Sequence, residues 1–322
     1  MKLTYTTAAL AAAAMLAAPA LGQVTVIEND FANGNPLEGA GPLESPFFTT
    51  SSGSGLASDN GTPGVLDFAS GTSGRSVHTL FAPQTLANAG DVLTVSYTFT
   101  TPATVGTNED FRVGLFNTDG AAGFNVDISA SSGTPDPILN IPGVSGEFDI
   151  NTADADFAIR SLNINNIEIG ADGPNPDDPA TGRLLTTTDG FDFLESGPNN
   201  GFAIDANTSY TGTFELELDA SGGVIVTQTL VGGAINEAFT SSVLAIADDV
   251  TAGEVGINTT TFDFLGFSVS GGAFGSVNDA GVADNGIDFT NVSVAFTPVP
   301  EPASMALLAG GAMMLAGRRR KG

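Results

Sequence analysis

DVLTVSYTFT, residues 91–100, sets the fold. Leu93, Val95, Tyr97 and Phe99 fall on one side of an extended chain, and Thr94, Ser96 and Thr98 on the other. Alternation with a period of two marks a strand with one face buried and one in water. YTGTFELELD, residues 210–219, repeats the pattern. There Tyr210, Phe214, Leu216 and Leu218 oppose Thr211, Thr213, Glu215 and Glu217. The turn Asp219-Ala220-Ser221-Gly222-Gly223 follows, and then an apolar stretch from Val224 to Leu230, which predicts a hairpin.

Further strands are expected over Phe111–Phe116, Phe124–Ile128, Phe157–Leu162, Phe262–Val269 and Asp288–Phe296. Gly, Asn, Asp, Ser and Pro clusters separate them, as turns require. A short helix is expected over Ser241–Val250. The quartet Phe191-Asp192-Phe193-Leu194 recurs as Phe262-Asp263-Phe264-Leu265, which reads as two strands placing Phe in the core. Many short antiparallel strands must pair two faces to hide their apolar sides. The expected fold is all-β: an antiparallel β-sandwich of jelly-roll type, flanked by two terminal apolar helices. Three segments follow: residues 1–22, a sandwich domain over 23–298, and residues 299–322. The loop ADGPNPDDPATGR, residues 171–183, is expected on the surface of that one domain.

Four elements carry a resemblance: LTVSYTF early, DFRVGLF centrally, the FELELD hairpin late and IDFTNVSVAF at the close. Their layout resembles the concanavalin and laminin-G sandwiches. The resemblance implies that fold and, within it, a carbohydrate-binding or glycan-cleaving module.

Composition excludes several functions. There is no Cys, hence no disulfide, thiolate metal site or thiol nucleophile. Between residues 23 and 300 stand four arginines against 35 of the 36 acids, a formal charge of −31. Such a surface repels nucleic acid and anionic headgroups. Salt or divalent cations relieve its self-repulsion.

Both ends read as export signals. Lys2 followed by the apolar run Ala8–Ala18 and by Ala20-Leu21-Gly22 predicts a secretory signal, cut by signal peptidase between Gly22 and Gln23. Cleavage after Ala20 is the alternative. At the other end, Val299-Pro300-Glu301-Pro302 precedes the uncharged run Ala303–Gly317 and then Arg318, Arg319, Arg320 and Lys321. As a helix that run spans roughly 22 Å, short of the ~30 Å hydrocarbon core. The basic cluster stays cytoplasmic by the positive-inside tendency. This succession resembles the PEP-CTERM sorting signal of bacteria. The resemblance implies recognition of Val299, Pro300, Glu301 and Pro302 by a membrane-embedded exosortase, with Arg318–Lys321 as the cytoplasmic stop. It implies transient residence in the inner membrane, then a place at the cell surface or in the exopolysaccharide matrix.

The body offers little catalytic chemistry. His78 is the single histidine, and no G-x-S-x-G elbow accompanies it, so it reads as a structural or surface residue. Glu147-Phe148-Asp149 begins the Glu-x-Asp-x-x-Glu strand of concanavalin-like glucanases, but Thr152 stands where the second catalytic Glu is required. There is no Trp and there are three Tyr, few platforms for stacking sugar rings. The oxygen-rich loop Ser276–Asp288 suits calcium, with Asp279, Asp284 and Asp288 as ligands. The sequence therefore points to an exported, non-enzymatic surface or matrix protein with a structural, adhesive or cation-bridging role in exopolysaccharide. A carbohydrate-binding or divergent glycoside-hydrolase module is the alternative.

Overall fold

Strand after strand pairs antiparallel until two seven-stranded sheets result. In this computed structural model the described residues are 22–32, 43–50, 64–68, 75–106, 110–121, 123–125, 141–150, 157–162, 191–197, 203–247, 256–270, 273–274 and 286–300. The first sheet runs β1 (Val24–Asn29), β14 (Ile287–Thr297), β5 (Val92–Thr100), β10 (Ser209–Leu218), β11 (Val224–Gly232) and β12 (Ile235–Thr240). A short β3 (Leu66–Phe68) shares the edge of β14 with β1. The second sheet runs β2 (Phe47–Thr50), β4 (Arg75–Thr85), β13 (Thr261–Val269), β6 (Asp110–Phe116), β7 (Gly143–Asp149), β8 (Phe157–Leu162) and β9 (Phe191–Ser196). Strands distant in sequence lie side by side, as β14 beside β5 and β13 beside β4.

The alternation read from residues 91–100 is the packing. Leu93, Val95, Tyr97 and Phe99 are buried, and the residues between them are half-exposed. Aromatic rings join the sheets: Tyr97 meets Phe267 at 5.4 Å, Phe99 meets Phe111 at 5.4 Å, and Phe289 meets Phe267 at 4.8 Å. Each buried Phe contributes about 2 kcal/mol by removal of apolar surface from water. Gly212 interrupts the apolar face of β10 because it pairs with Tyr97, whose ring fills the space a side chain would take. Burial raises the Tyr97 phenol far above its usual range, so it stays neutral.

The second sheet differs. Strands β6 and β13 are buried on both faces over nearly their whole length. A bulge at Asp263 resets the alternation, so Phe262 joins the main core while Phe264 packs on the outer face. There Phe264 stacks on His78 at 4.9 Å and meets Phe124 at 5.6 Å and Phe116 at 5.9 Å.

Three expectations change. Residues 241–247 are extended rather than helical. Leu244 exchanges two backbone hydrogen bonds with Val224, and Ile246 bridges Ile257, so sheet partners take the groups a helix would need. Phe124 is a buried loop residue, outside any strand, and residues 126–128 lie outside the described residues. The FDFL quartets differ: Phe262 and Phe264 are buried, whereas Phe193 is 53 % exposed, with the Arg160 guanidinium 5.6 Å from its ring. The expected terminal helices, most of the 171–183 loop's neighbourhood and the loop itself lie outside the described residues.

Candidate functional site

The outer face of the first sheet presents hydroxyls in rows. Register places Ser293, Ser96, Thr213 and Thr229 side by side across β14, β5, β10 and β11. The next row holds Asn291, Thr98 and Thr211, and the row on the other side holds Thr94, Glu215, Thr227 and Thr240. Neighbouring strands stand about 4.8 Å apart and successive rows about 7 Å apart, so the hydroxyls form a regular grid. Cross-strand hydrogen bonds orient them: Thr213–Thr229 at 2.7 Å, Thr227–Thr240 at 3.1 Å, and Thr94 donating to Glu215 at 3.0 Å. Threonine suits this face because its branched side chain packs on the pleat while its oxygen reaches water. The sequence showed this face only as the polar half of an alternation; its rows emerge from the register.

The outer face of the second sheet is chemically opposite. It buries charge. Arg112 Nε donates to Glu147 Oε2 at 2.6 Å, and Arg160 Nε donates to the same oxygen at 3.1 Å. Arg112 also pairs with Asp110. Arg112 is 3 % and Glu147 9 % exposed. Burial pushes the Glu147 carboxyl up, but the two guanidinium groups outweigh it and hold it below the usual glutamate range. A carboxylate so held is a poor general acid, which must keep its proton near neutrality. His78 is fully buried and donates from Nε2 to the Phe124 carbonyl at 2.8 Å. Its ring is a packing element between Phe48 and Phe264.

Of the residues expected at the signal cut, in the sorting tail and in the calcium site, the structure describes five. Gly22 and Gln23 are exposed, and β1 begins at Val24, directly after the expected cut. Val299 and Pro300 follow the end of β14 at Thr297, and the Val299 N–H donates to Asp91 Oδ1 at 2.7 Å. Asp288 sits near the start of β14, opposite Thr100 of β5 and opposite Asp67 of β3. Asp279, Asp284, Glu301, Pro302, Arg318, Arg319, Arg320 and Lys321 lie outside the described residues. Among the described residues, no group of three or more His, Asp or Glu is arranged to hold a metal, and no helix is long and apolar enough to cross a membrane.

Solved structures that the chain is similar to include two lectins and a domain crystallised with Ca2+ and Man2. Peanut lectin with a 9mer peptide is 13 % identical, with a TM-score of 0.43 over 87 % of this chain and 100 % of that one. The exoplasmic/lumenal domain of VIP36, in its Ca2+/Man2-bound form, is 11 % identical, with a TM-score of 0.42 over 86 % and 88 %. Lectin II from Ulex europaeus is 12 % identical, with a TM-score of 0.39 over 86 % and 99 %. No curated protein matches the chain. Residues 298–321 match the PEP-CTERM protein-sorting motif, so the chain carries, directly after its last strand, a sorting signal of exported proteins.

Proposed function

We propose that this protein is a non-enzymatic structural or adhesive component of a bacterial cell surface or extracellular matrix. The carrying observation is the sorting motif at residues 298–321, set immediately outside a sandwich whose strands run from Val24 to Thr297. Both expected processing points then lie beyond the first and last strands. Signal peptidase cuts between Gly22 and Gln23, leaving 23–298 as the domain. Val299, Pro300, Glu301 and Pro302 form the element an exosortase recognises. The apolar run to Gly317 sits briefly in the inner membrane, with Arg318, Arg319, Arg320 and Lys321 as its cytoplasmic stop.

Outside the cell, the hydroxyl rows of the first sheet supply the contact with exopolysaccharide. Hydroxyl oxygens both donate and accept, which suits a polyhydroxylated polymer. Calcium bridges the acidic surface to the matrix, with Asp279, Asp284 and Asp288 as ligands. The environment of Glu147 favours binding over glycoside hydrolysis.

Sedimentation of the purified protein with exopolysaccharide from its native cells tests the reading, with and without calcium at constant high ionic strength. Co-sedimentation strengthened by calcium, with no release of reducing sugar, is expected. Turnover of the polymer that disappears in Glu147→Gln would overturn it.

A further inference from the structure

We propose that the corner formed by Gly90 and Asp91 is a docking site for the start of the sorting motif, and that this site competes with the processing enzyme for Val299. Beyond Thr297 the chain continues Pro298-Val299-Pro300. Proline has no N–H, so Val299 carries the sole backbone donor of these three residues. That donor goes to Asp91 Oδ1 at 2.7 Å. The receiving carboxylate is 1 % exposed. Its second oxygen, Oδ2, accepts the N–H groups of Ala87 at 2.9 Å and Asn88 at 2.7 Å, which fix the carboxylate independently of the tail.

Gly90 completes the cradle. Its φ of 88° lies in the left-handed region, and a Cβ there would stand 2.9 Å from Val299 Cγ2. The missing side chain is what admits the valine. The corner is also tied to β10: the Gly90 N–H donates to the Leu218 carbonyl at 2.7 Å, and the Leu218 N–H donates to the Asp91 carbonyl at 3.0 Å. It therefore exists only once β5 and β10 have paired, 121 residues apart at Thr94 and Glu215. Folding of the sandwich creates a second binder for the residue at which the motif begins. An enzyme enclosing Val299 must first remove it from Asp91, so the folded domain slows processing of its own tail. This inference rests on the reading of Val299–Pro302 as the recognised element.

Two measurements on the full chain test it. Hydrogen exchange in detergent micelles reads the Val299 amide. Exchange at least tenfold slower than in a free peptide is expected for the native protein. In Asp91→Asn, the single amide oxygen keeps Ala87 and Asn88 while its NH2 meets the Val299 N–H, donor against donor. The Val299 amide should then exchange freely, with Ala87 and Asn88 still protected. A time course of tail removal in the native cells reads the competition, and Asp91→Asn should be processed on the order of tenfold faster. Free exchange of Val299 in the native protein overturns the docking site, whatever the variant does. Unchanged or slower processing of a variant whose Val299 has been freed overturns the competition. A tail that is never removed while Val299 stays protected supports the docking site and contradicts the sorting reading instead.

Discussion

The two sheets of one sandwich treat their outer faces in opposite ways. The first leaves its outer face to water and lines it with serine and threonine. The second covers its central strands and buries Arg112, Glu147 and the single histidine there, with Arg160 and Asp110 half-buried beside them. The contrast matters because the body has four arginines in all, and two of them converge on the buried Glu147. The molecule spends half its positive charge on internal order and meets its surroundings as an acidic surface with a hydroxyl-rich face.

This contrast predicts unequal responses to mutation. The largest belongs to the rings shared by both sheets. Phe111→Ala removes a side chain stacked on Phe148 at 4.6 Å and touching Tyr97 and Phe99, and should cost about 4 kcal/mol in denaturant unfolding. Next is the buried charge. Arg112→Ala leaves Asp110 and Glu147 without their shared cation and should cost about 3 kcal/mol by the same measurement.

Acid should weaken the second sheet through the same cluster. Glu147 is held below its unfolded value of about 4.3, so its contribution is complete above that pH. The contribution falls as pH drops through the lower folded-state value, because the unfolded chain then binds the proton more readily. Glu147→Gln should flatten this part of the stability profile below about pH 4.3. A profile of unchanged slope would show that the cluster does not couple to folding. The smallest effect belongs to the open face: Thr213→Val should change stability by less than about 1 kcal/mol while weakening co-sedimentation with exopolysaccharide. A large loss of stability there would mean that the hydroxyl rows hold the sheet together rather than face a partner.

The same contrast explains what could be read from sequence. Strands with one wet face announce themselves by alternation, and β5, β10 and β11 fall on residues 91–100, 210–219 and 224–230 to within two residues at each end. Strands β6, β8, β13 and β14 also match their expected spans to within one residue at each end. Strands β1, β2, β3, β4, β7 and β12 had no expected span. In β4 the consecutive residues Ser76, Val77, His78 and Thr79 are all buried, so polarity carries no face information there. The bulge at Asp263 is invisible to a fixed period, although that side chain anchors it by accepting from the Thr118 N–H at 2.7 Å and its hydroxyl at 2.6 Å. The Arg112–Glu147–Arg160 cluster joins three strands whose pairing has no local signature. The sorting motif was legible for the opposite reason: it is a linear signal, read without a fold. Its contact with Asp91, 208 residues away, was not.

Mass spectrometry of the protein recovered from the outer surface of its native cells tests the central claim most directly. The account predicts a chain that begins at Gln23 and has lost the apolar and basic residues after Pro302. Recovery of the intact chain from the cytosol, with residues 1–22 and 299–322 still attached, would contradict it.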